Sequence, residues 1–187
     1  MGKVTAWELI SLDGVMEKPE EWAYVFHNDE IAEASASEMT DSGALLLGRI
    51  TYEELSSHWP NQLESDPMAN YINNISKFVV STILEEPLEW NNSTLIDENI
   101  TKEITELKQE SDLDLTIIGS GALVRSLLHD GVLDELMVLV HPLLLGSGKH
   151  LFGDRSDHLD LDLVDSRTFS TGVVSLTYRP AGTDEKE

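Results

Sequence analysis

An apolar run that stops abruptly at a glycine and an arginine is the feature of this sequence best suited to chemistry. In "LLLGRITYEEL" (residues 45–55), three leucines lead to Gly48 and Arg49, and Thr51 opens a helix-compatible stretch. Glycine lets a ligand approach the backbone, and the N-terminus of a following helix offers free N–H groups and partial positive charge to an anion. Arg49 adds a planar, permanently charged donor. The segment therefore suits the binding of a phosphate. The alternative is an ordinary strand end, at which Arg49 pairs with a nearby acidic side chain.

A second apolar run also ends in glycines, in "LDLTIIGSGALVRS" (residues 113–126). The glycines are Gly119 and Gly121, but the segment is not G-x-G-x-x-G, because Val124 stands where the last glycine belongs. It also lacks the Gly-Lys-Ser/Thr of a P-loop. In an open α/β sheet, ligands bind beyond the carboxyl ends of the strands, where the loops that lead into helices collect. Both turns are therefore expected at that edge, as candidates for a ligand site.

Several other chemistries are excluded or disfavoured. Cysteine is absent, which excludes disulfides, thiolate metal sites and a cysteine nucleophile. There is no G-x-S-x-G elbow, and the six histidines show no H-E-x-x-H pairing, so neither a serine hydrolase nor a metal site is expected. His141, which precedes Pro142, is expected to be a strand-end or core residue. Asp13 in "SLDGVM" is expected to be a turn former first and a site residue second.

The charge balance indicates which partners to expect. Acidic residues outnumber basic ones 35 to 12, for a formal charge of -23, and they are scattered along the chain. This disfavours nucleic-acid binding, which needs clustered Lys and Arg. The source is either a cell with a salt-rich cytoplasm or an ordinary mesophile. No signal peptide is evident, and the longest apolar stretch is too short to cross a bilayer, so we expect a cytoplasmic protein without a membrane partner.

The elements that position these turns alternate along the chain. Strands are predicted at 3–11, 44–48, 77–82, 93–96, 113–121 and 133–146, and helices at 28–39, 51–59, 67–75, 99–110 and 122–131. Residues 44–48 are apolar on both faces, which predicts a central parallel strand, and residues 161–180 predict a hairpin. The fold class is therefore α/β, with a largely parallel sheet, helices on both faces and an antiparallel C-terminal edge. We expect one domain over residues 1–180 and a short, disordered acidic tail at 181–187.

Five segments, in this order, resemble the dihydrofolate reductase-like superfamily, in particular the reductase domain of bacterial bifunctional riboflavin-biosynthesis proteins. They are "SLDGVM", "LLLGRITYE", "KFVVST", "IIGSGALVRSLL" and "DELMVLVHPLLLGSGKHLF". The resemblance covers residues 3–179 and implies a three-layer fold, a small-molecule substrate and a homodimer. The interface is expected around "MVLVHPLLLG" (137–146), although an internal core strand is the simpler reading of that segment.

The bound cofactor implied by the resemblance is NADPH. The matching residues are Gly48, Arg49 and Thr51 for its phosphates, Ser81 and Thr82 beside the 2′-phosphate, Gly119, Ser120, Gly121, Ala122 and Leu123 under the pyrophosphate, and Ala6, Asp13, Gly14, Val15 and Met16 beside the nicotinamide. Relatives often carry arginines where this chain has Thr82 and Ala122. NADH is therefore not excluded.

The chemistry implied is hydride transfer from the nicotinamide to an electron-poor C=N or C=O carbon. Substrate contacts are expected at Met16, Trp22, Phe26, Glu30 and Glu33. A proton donor on helix 28–39 could be Asp29, Glu30, Glu33 or Glu38, and spacing does not choose among them, so no catalytic residue is assigned.

Two further readings of the function stay open. The substrate could be a folate or a ribosylamino-pyrimidine phosphate of riboflavin synthesis, namely 5-amino-6-(5-phosphoribosylamino)uracil. For the phosphate of the latter, the nearby basic candidates are Lys149, His150 and Arg155. Alternatively, because a fold does not fix a function, the chain is a nucleotide-binding, non-catalytic or regulatory protein on the same scaffold.

Overall fold

Eight strands form one sheet, with helices on both of its faces. The computed structural model describes residues 2–40, 43–63, 65–110, 113–153 and 158–182. The strands are β1 (Val4–Ser11), β2 (Ala44–Gly48), β3 (Ser76–Val80), β4 (Ser93–Ile96), β5 (Leu115–Ile118), β6 (Glu135–His141), β7 (Leu161–Thr168) and β8 (Val174–Pro180). The helices are α1 (Pro19–Trp22), α2 (Asp29–Thr40), α3 (Arg49–His58), α4 (Pro67–Asn74), α5 (Ile100–Glu110) and α6 (Gly121–His129).

The sheet is mainly parallel, as predicted. Its strand order is β4-β3-β2-β5-β1-β6-β8-β7, and the first six strands in this order run parallel. β8 pairs antiparallel with β6 and with β7, so the predicted C-terminal hairpin is confirmed. β2 lies between β3 and β5, as its uninterrupted apolar sequence predicted.

The two faces of the sheet carry separate hydrophobic clusters. α5 and α6 cover one face, where buried side chains of β1, β2, β5 and β6 meet those of the two helices. On the opposite face, Leu45 and Leu47 of β2 pack with Tyr52 of α3 and Ile72 of α4. Further along that face, Ile31 of α2 packs against the sheet. The helices that follow β2 and β5 therefore leave the sheet on opposite faces.

Local sequence explains where several helices begin. Asp66 caps α4 by accepting hydrogen bonds from the N–H groups of Met68 and Ala69. Asn28 accepts from the N–H of Ile31 at 3.0 Å and so caps α2. α3 begins at Arg49, two residues earlier than predicted, because its first turn continues directly from the end of β2.

A buried lysine supports the junction between α4 and the sheet. Lys77 of β3 is 1% exposed, and its Nζ donates to the carbonyl oxygens of Asn73 (3.3 Å), Ile75 (2.8 Å) and Asn91 (3.1 Å). The ammonium also lies 4.4 Å from the centre of the Trp90 ring, a favourable position for a cation. Its three donors are thus satisfied without a carboxylate.

β6 is an interior strand, between β1 and β8. Its backbone edges are therefore used within the sheet, and the interface expected from residues 137–146 cannot form by strand pairing at β6. The homodimer itself stays a prediction. In the described part of the chain, none of the helices is both long enough and apolar enough to span a membrane. Residues 183–187 of the predicted tail lie outside the described residues.

Candidate functional site

The two glycine turns meet at the carboxyl edge of neighbouring strands. β2 and β5 pair in parallel, so Gly48 at the end of β2 and Gly119 after β5 lie side by side. α3 then leaves on one face of the sheet and α6 on the other. Such a divergence opens a crevice, which is where open α/β sheets bind ligands. The expectation that the turns share one edge is met.

A serine hydroxyl connects the two turns directly. Ser120 Oγ accepts a hydrogen bond from the N–H of Gly48 at 2.8 Å and lies 2.7 Å from Thr51 Oγ1. Ser120 has the left-handed backbone (φ 64°, ψ 51°) that side-chain-bearing residues rarely adopt, and Gly119 before it also has a positive φ. The strained backbone places the hydroxyl between the turns. Sequence reasoning assigned Ser120 to the cofactor but did not foresee this bond.

Two helix N-termini point into the same crevice. Gly48 and Ser120 are the N-cap residues of α3 and α6, and neither cap position supplies a side-chain hydrogen bond to its helix among the described residues. The third backbone N–H of α6, that of Leu123, donates to the carbonyl oxygen of Ser120 at 2.7 Å. The first two N–H groups of each helix have no hydrogen-bond partner among the described residues and are available to an anion, with the positive ends of two helix dipoles behind them. Phosphate oxygens would satisfy these donors.

Arg49, the cation of the first turn, is engaged within its own helix. Its Nη1 lies 2.8 Å from Glu53 Oε2, one helical turn further on, and both side chains are partly exposed. This is the arginine–acid pairing that the sequence left open as the alternative to phosphate binding. The pair is exposed enough to exchange partners.

The loop after β1 is anchored to the segment after β6. Asp13 accepts hydrogen bonds from Ser11 Oγ (2.6 Å) and from the N–H groups of Gly146 (2.7 Å) and Leu145 (3.1 Å). These bonds, the one from Ser11 first, lower the pKa of Asp13 to about 2. Val15 extends the anchorage by bridging to His150. Asp13 is therefore a turn former, as expected first, and its carboxylate is used inside the protein.

The same loop packs against the start of α6. A Cβ built on Gly121 would collide with Met16 Sδ, so the absence of a side chain lets the two segments touch. Gly14, with a positive φ, turns the chain toward this contact, while Val15 is buried. The structure thus brings the predicted residues of this loop and of the second turn together.

The other predicted cofactor residues are divided between surface and core. Ala6 and Leu123 are buried in the cluster beneath α6, whereas Ala122 is exposed. At the end of β3, Ser81 Oγ accepts from the N–H groups of Ile83 and Leu84, both at 3.1 Å, and forms a turn. Thr82 beside it is exposed. Their role toward a 2′-phosphate stays a prediction.

Trp22 and Phe26 both contact a histidine at the end of β6. Their rings lie 5.2 Å and 5.7 Å from the His141 ring, each in an edge arrangement. His141 is 3% exposed, so it is buried at a strand end, as predicted. Its Nδ1 lies 3.0 Å from the carbonyl oxygen of Leu139 and 3.2 Å from that of Ile10.

The two carbonyl oxygens fix the form of the His141 ring. Carbonyl groups accept hydrogen bonds, so Nδ1 carries the proton and Nε2 keeps a lone pair. Burial lowers the pKa of His141, which favours this neutral ring. Sequence reasoning gave His141 no role in the site, since an isolated histidine in an apolar run carries no motif.

The acidic residues predicted on α2 lie elsewhere. Glu30 accepts hydrogen bonds from the hydroxyl (2.6 Å) and the N–H (2.9 Å) of Ser170, in the turn between β7 and β8. These bonds lower the pKa of Glu30, which does not suit a proton donor. Glu33 and Asp29 are exposed, and the side chain of Glu38 lies outside the described residues.

A cavity of about 170 Å³ lies on the face of the sheet that α2 covers. Its lining is partly apolar, from Trp7, Met137, Leu139 and Phe169, with Arg167 contributing a cation. None of the predicted substrate residues lines it. Of the basic candidates for a substrate phosphate, Lys149 lies 3.7 Å from Glu17, His150 is exposed, and Arg155 lies outside the described residues.

Comparison with known proteins gives a consistent family. The model of the RibD C-terminal domain matches residues 2–175. The uncharacterized Bacillus subtilis protein YyaP is 30% identical over 137 residues, which is 72% of each chain. A Shewanella sp. PV-4 structure, provisionally described as a riboflavin biosynthesis protein, has a TM-score of 0.77 at 21% identity and covers 95% and 98% of the two chains. Dihydrofolate reductase from Enterococcus faecalis, complexed with NADP(H), has a TM-score of 0.65 at 16% identity over 96% and 97%.

Proposed function

Because the chain belongs to the family of RibD C-terminal domains, within the dihydrofolate reductase-like superfamily, we propose that it is a nicotinamide-dependent reductase. The preferred cofactor is NADPH, and the substrate is a small heterocycle, imine or carbonyl compound. The observation that carries the proposal is the Ser120 hydroxyl, which joins the Gly48 and Gly119 turns into one uncapped anion-binding edge.

The residues of this edge fit a dinucleotide. A Cβ on Gly48 would lie 2.8 Å from Ser120 Oγ, and one on Gly119 would lie 3.1 Å from Thr51 Oγ1, so both positions need glycine. The edge therefore presents backbone N–H groups of two helices rather than side chains, which suits the closely spaced charges of a pyrophosphate. A dinucleotide also spans several strands, and the edge continues over β3 on one side and β1 on the other.

Each part of the chain then has a defined task. The N-termini of α3 and α6 bind the phosphates, and Arg49 adds a cation once it leaves Glu53. The loop through Met16 covers the edge beside β1 and excludes water. When bound, the cofactor supplies the hydride. His141, with its neutral ring held by two carbonyl oxygens, accepts a hydrogen bond through Nε2 from a substrate N–H or O–H.

The cavity beneath α2 is lined by Leu139, on the same face of β6 as His141, and its volume decides which size of substrate ring to test first. An apolar cavity of about 150 Å³ holds one benzene ring, so about 170 Å³ accommodates a single small ring. A complete folate would need α2 and the sheet to separate further. A pyrimidine-sized ring is therefore the first class to test, and both the riboflavin precursor and the folate belong in the panel.

A binding titration tests the cofactor. Quenching of tryptophan fluorescence by NADPH should be saturable, and Ser120→Ala should weaken binding by about tenfold, because Gly48 N–H and Thr51 lose their shared partner. Ser126→Ala, on the exposed side of the same helix, serves as the matched control and should bind like the parent protein. The absence of saturable binding by the parent protein, in dilute and in concentrated salt, would sink the proposal.

A nucleotide-binding protein without catalysis is the second candidate. It is favoured by the commitment of Glu30 to Ser170, which leaves that carboxylate unsuited as a proton donor. NADPH oxidation with a panel of pyrimidines, pterins and carbonyl compounds separates the two candidates. Turnover that His141→Asn slows while NADPH still binds would favour the reductase, and binding with no turnover on any compound would favour the second candidate.

A further inference from the structure

One buried carboxyl beside the two turns has no role in the proposed function. Glu8 stands on β1 between Ala6 and Ile10 and faces the same side of the sheet as these two apolar residues. It is 2% exposed, which is rare for an acidic side chain without a partner. Every other position on that side of β1 is apolar: Val4, Ala6 and Ile10.

The Glu8 carboxyl is unsatisfied within the described part of the chain. Its Oε1 is sealed from solvent and accepts no hydrogen bond there. Burial raises the pKa of Glu8 well above its ordinary value, and no neighbouring charge contributes to that shift. A buried polar group without a partner costs free energy, so its retention needs an explanation.

The register of the strands places Glu8 next to the second turn. Trp7 is the last residue of β1 that pairs with β5, where it lies opposite Ile118. Glu8 pairs with Val138 of β6 on its other side. On the β5 side, the chain has already turned at Gly119 into α6, which covers the face that Glu8 points to. The carboxyl therefore lies where β1 passes the cofactor turn.

The charged groups on the surrounding elements are used elsewhere. Arg125 of α6 donates to the carbonyl oxygen of Leu151 at 2.6 Å. Glu17 and Lys149 face each other across the neighbouring loops at 3.7 Å. Asp13 is bound to Ser11, Gly146 and Leu145, His150 is exposed, and Glu135 at the far end of β6 is bound to Lys3 and Arg179. His129 at the end of α6 lies beside Asp130, and on α5 Lys102 pairs with Glu106 and Lys108 with Asp134.

The path of a dinucleotide brings one of its rings to this point. With the pyrophosphate at the β2–β5 edge, one half extends over β3 and the other over β1, because strands lie about 4.8 Å apart and the sheet continues in both directions. The nicotinamide is the ring that changes charge in the reaction: it is neutral when reduced and cationic when oxidised. An unpaired buried carboxyl is complementary to the cationic ring.

We propose that Glu8 is the residue through which this protein distinguishes the oxidised from the reduced cofactor, by placing a carboxyl that can ionise beside the nicotinamide ring. The inference rests on the proposed function. With the reduced cofactor, Glu8 keeps its proton, since no charge compensates its burial. With the oxidised cofactor, the cationic ring stabilises the carboxylate, and the proton leaves to solvent.

The consequence is a proton released on binding of one redox form. Bound NADP⁺ lowers the pKa of Glu8. The affinity for NADP⁺ therefore rises with pH, up to the pH at which Glu8 also ionises in the free protein. The affinity for NADPH does not show this rise. The two cofactors carry the same 2′-phosphate, whose own titration therefore cancels in the comparison. The ratio of the affinity for NADP⁺ to the affinity for NADPH should increase by about tenfold over this pH range. This is a modest value, as expected for a partly screened pair of charges.

Calorimetric titration with NADP⁺ and NADPH, in buffers of different protonation enthalpy, measures this release. The parent protein should release more protons with NADP⁺ than with NADPH, and Glu8→Gln, which keeps the shape but cannot ionise, should abolish the difference. Glu135→Gln is the matched control, since its carboxyl belongs to the same sheet but lies at the opposite end of the strands. It should keep the difference.

The outcomes separate this inference from the proposed function. If the parent protein binds neither cofactor, the proposed function fails. If it binds both and releases equal numbers of protons, Glu8 does not face the nicotinamide, and the inference fails even if Glu8→Gln cannot be purified. Unequal release that persists in folded Glu8→Gln assigns the effect to another group and also overturns the inference.

Discussion

Glu8 and Lys77 are an acid and a base that lie almost fully buried in the described part of this sheet, and their polar atoms have opposite environments. Lys77 of β3 is 1% exposed, donates to three carbonyl oxygens and lies over the Trp90 ring. Glu8 of β1 is 2% exposed and has an oxygen that accepts nothing in the described structure. Both pKa values are moved by burial, that of Lys77 downward to about 8 and that of Glu8 upward.

Burial alone therefore does not distinguish a structural residue from a candidate functional residue. The distinction is whether the buried polar atoms have hydrogen-bond partners within the protein. The partners of Lys77 come from the end of α4 and the segment before β4, so the ammonium holds loops to the sheet. Among the described residues, Oε1 of Glu8 forms no bond to another segment, and Glu8 lies beside the turns that suit a cofactor. A buried ionisable group that does not stabilise the fold is a candidate for a role in ligand binding.

The largest expected effect is on the satisfied member of the pair. Lys77→Ala leaves three carbonyl oxygens without their donor and opens a cavity beside Trp90, so the free energy of unfolding should fall by about 3 kcal/mol. Urea denaturation measures the loss. Lys102→Ala, an exposed position on α5, should change stability little. Equal small losses in both variants would show that the carbonyl contacts of Lys77 do not contribute to stability.

The pH dependence of Lys77 has a sign that can be checked. Its pKa is about 8 in the folded chain and 10.5 as the ordinary value, so the unfolded chain binds more protons between these limits. The contribution of Lys77 to the free energy of unfolding therefore rises with pH through that window. Lys77→Met, which cannot titrate, should lose that rise, as measured by urea denaturation at several pH values.

The next effect tests the edge beside Glu8. Gly119→Ala forces a Cβ onto a left-handed residue and against Thr51 Oγ1, at a cost of about 1–2 kcal/mol, and it should weaken NADPH binding as well. Gly131→Ala is the matched control, because Gly131 also has a positive φ (68°) but has open space around it. Thermal melts of both variants measure the loss of stability, and NADPH titrations measure the loss of affinity. A Gly119→Ala protein with unchanged affinity would remove the turn from the site.

Glu8→Gln should behave in the opposite way to Lys77→Ala. The folded chain holds the Glu8 proton more tightly than the unfolded chain, so raising the pH above the ordinary carboxyl pKa destabilises the parent protein. Glutamine avoids this penalty. We expect similar melting temperatures near pH 4 and a variant that melts higher near pH 8, by about 3 °C for each kcal/mol of penalty avoided. A difference that does not grow with pH would show that Glu8 is not an unpartnered acid.

The sequence predicted the framework better than the site because the two depend on different information. The bounds of residues 44–48 and 93–96 were predicted correctly, and for 44–48 the uninterrupted apolar residues show why: both faces of that strand are buried. The bond from Gly48 to Ser120 joins residues 72 positions apart, and no local pattern reports such a contact. Glu8 lies on the apolar side of β1, between Ala6 and Ile10, and no local pattern indicates that its carboxyl is buried there without a partner. Its burial depends on α6, more than a hundred residues away.

The smallest expected effect concerns the cation of the first turn. Arg49 is held by Glu53 at 2.8 Å in the free protein, so a phosphate must compete with this carboxylate. Glu53→Gln removes the competitor and should raise the affinity for NADPH and for NADH by about threefold, since an exposed pair contributes roughly 0.3–1 kcal/mol.

The measurement is a fluorescence titration of both cofactors against the Glu53→Gln variant, in dilute and in concentrated salt. Glu54→Gln, one position along α3, removes the same formal charge next to the pair and serves as the control for the general acidity of the surface. The gain of Glu53→Gln should exceed that of the control and should shrink with added salt, because salt screens exposed charges. If both variants gain equally, the chain repels the phosphates of the cofactor through its net charge, and the pairing of Arg49 with Glu53 has no part in cofactor binding.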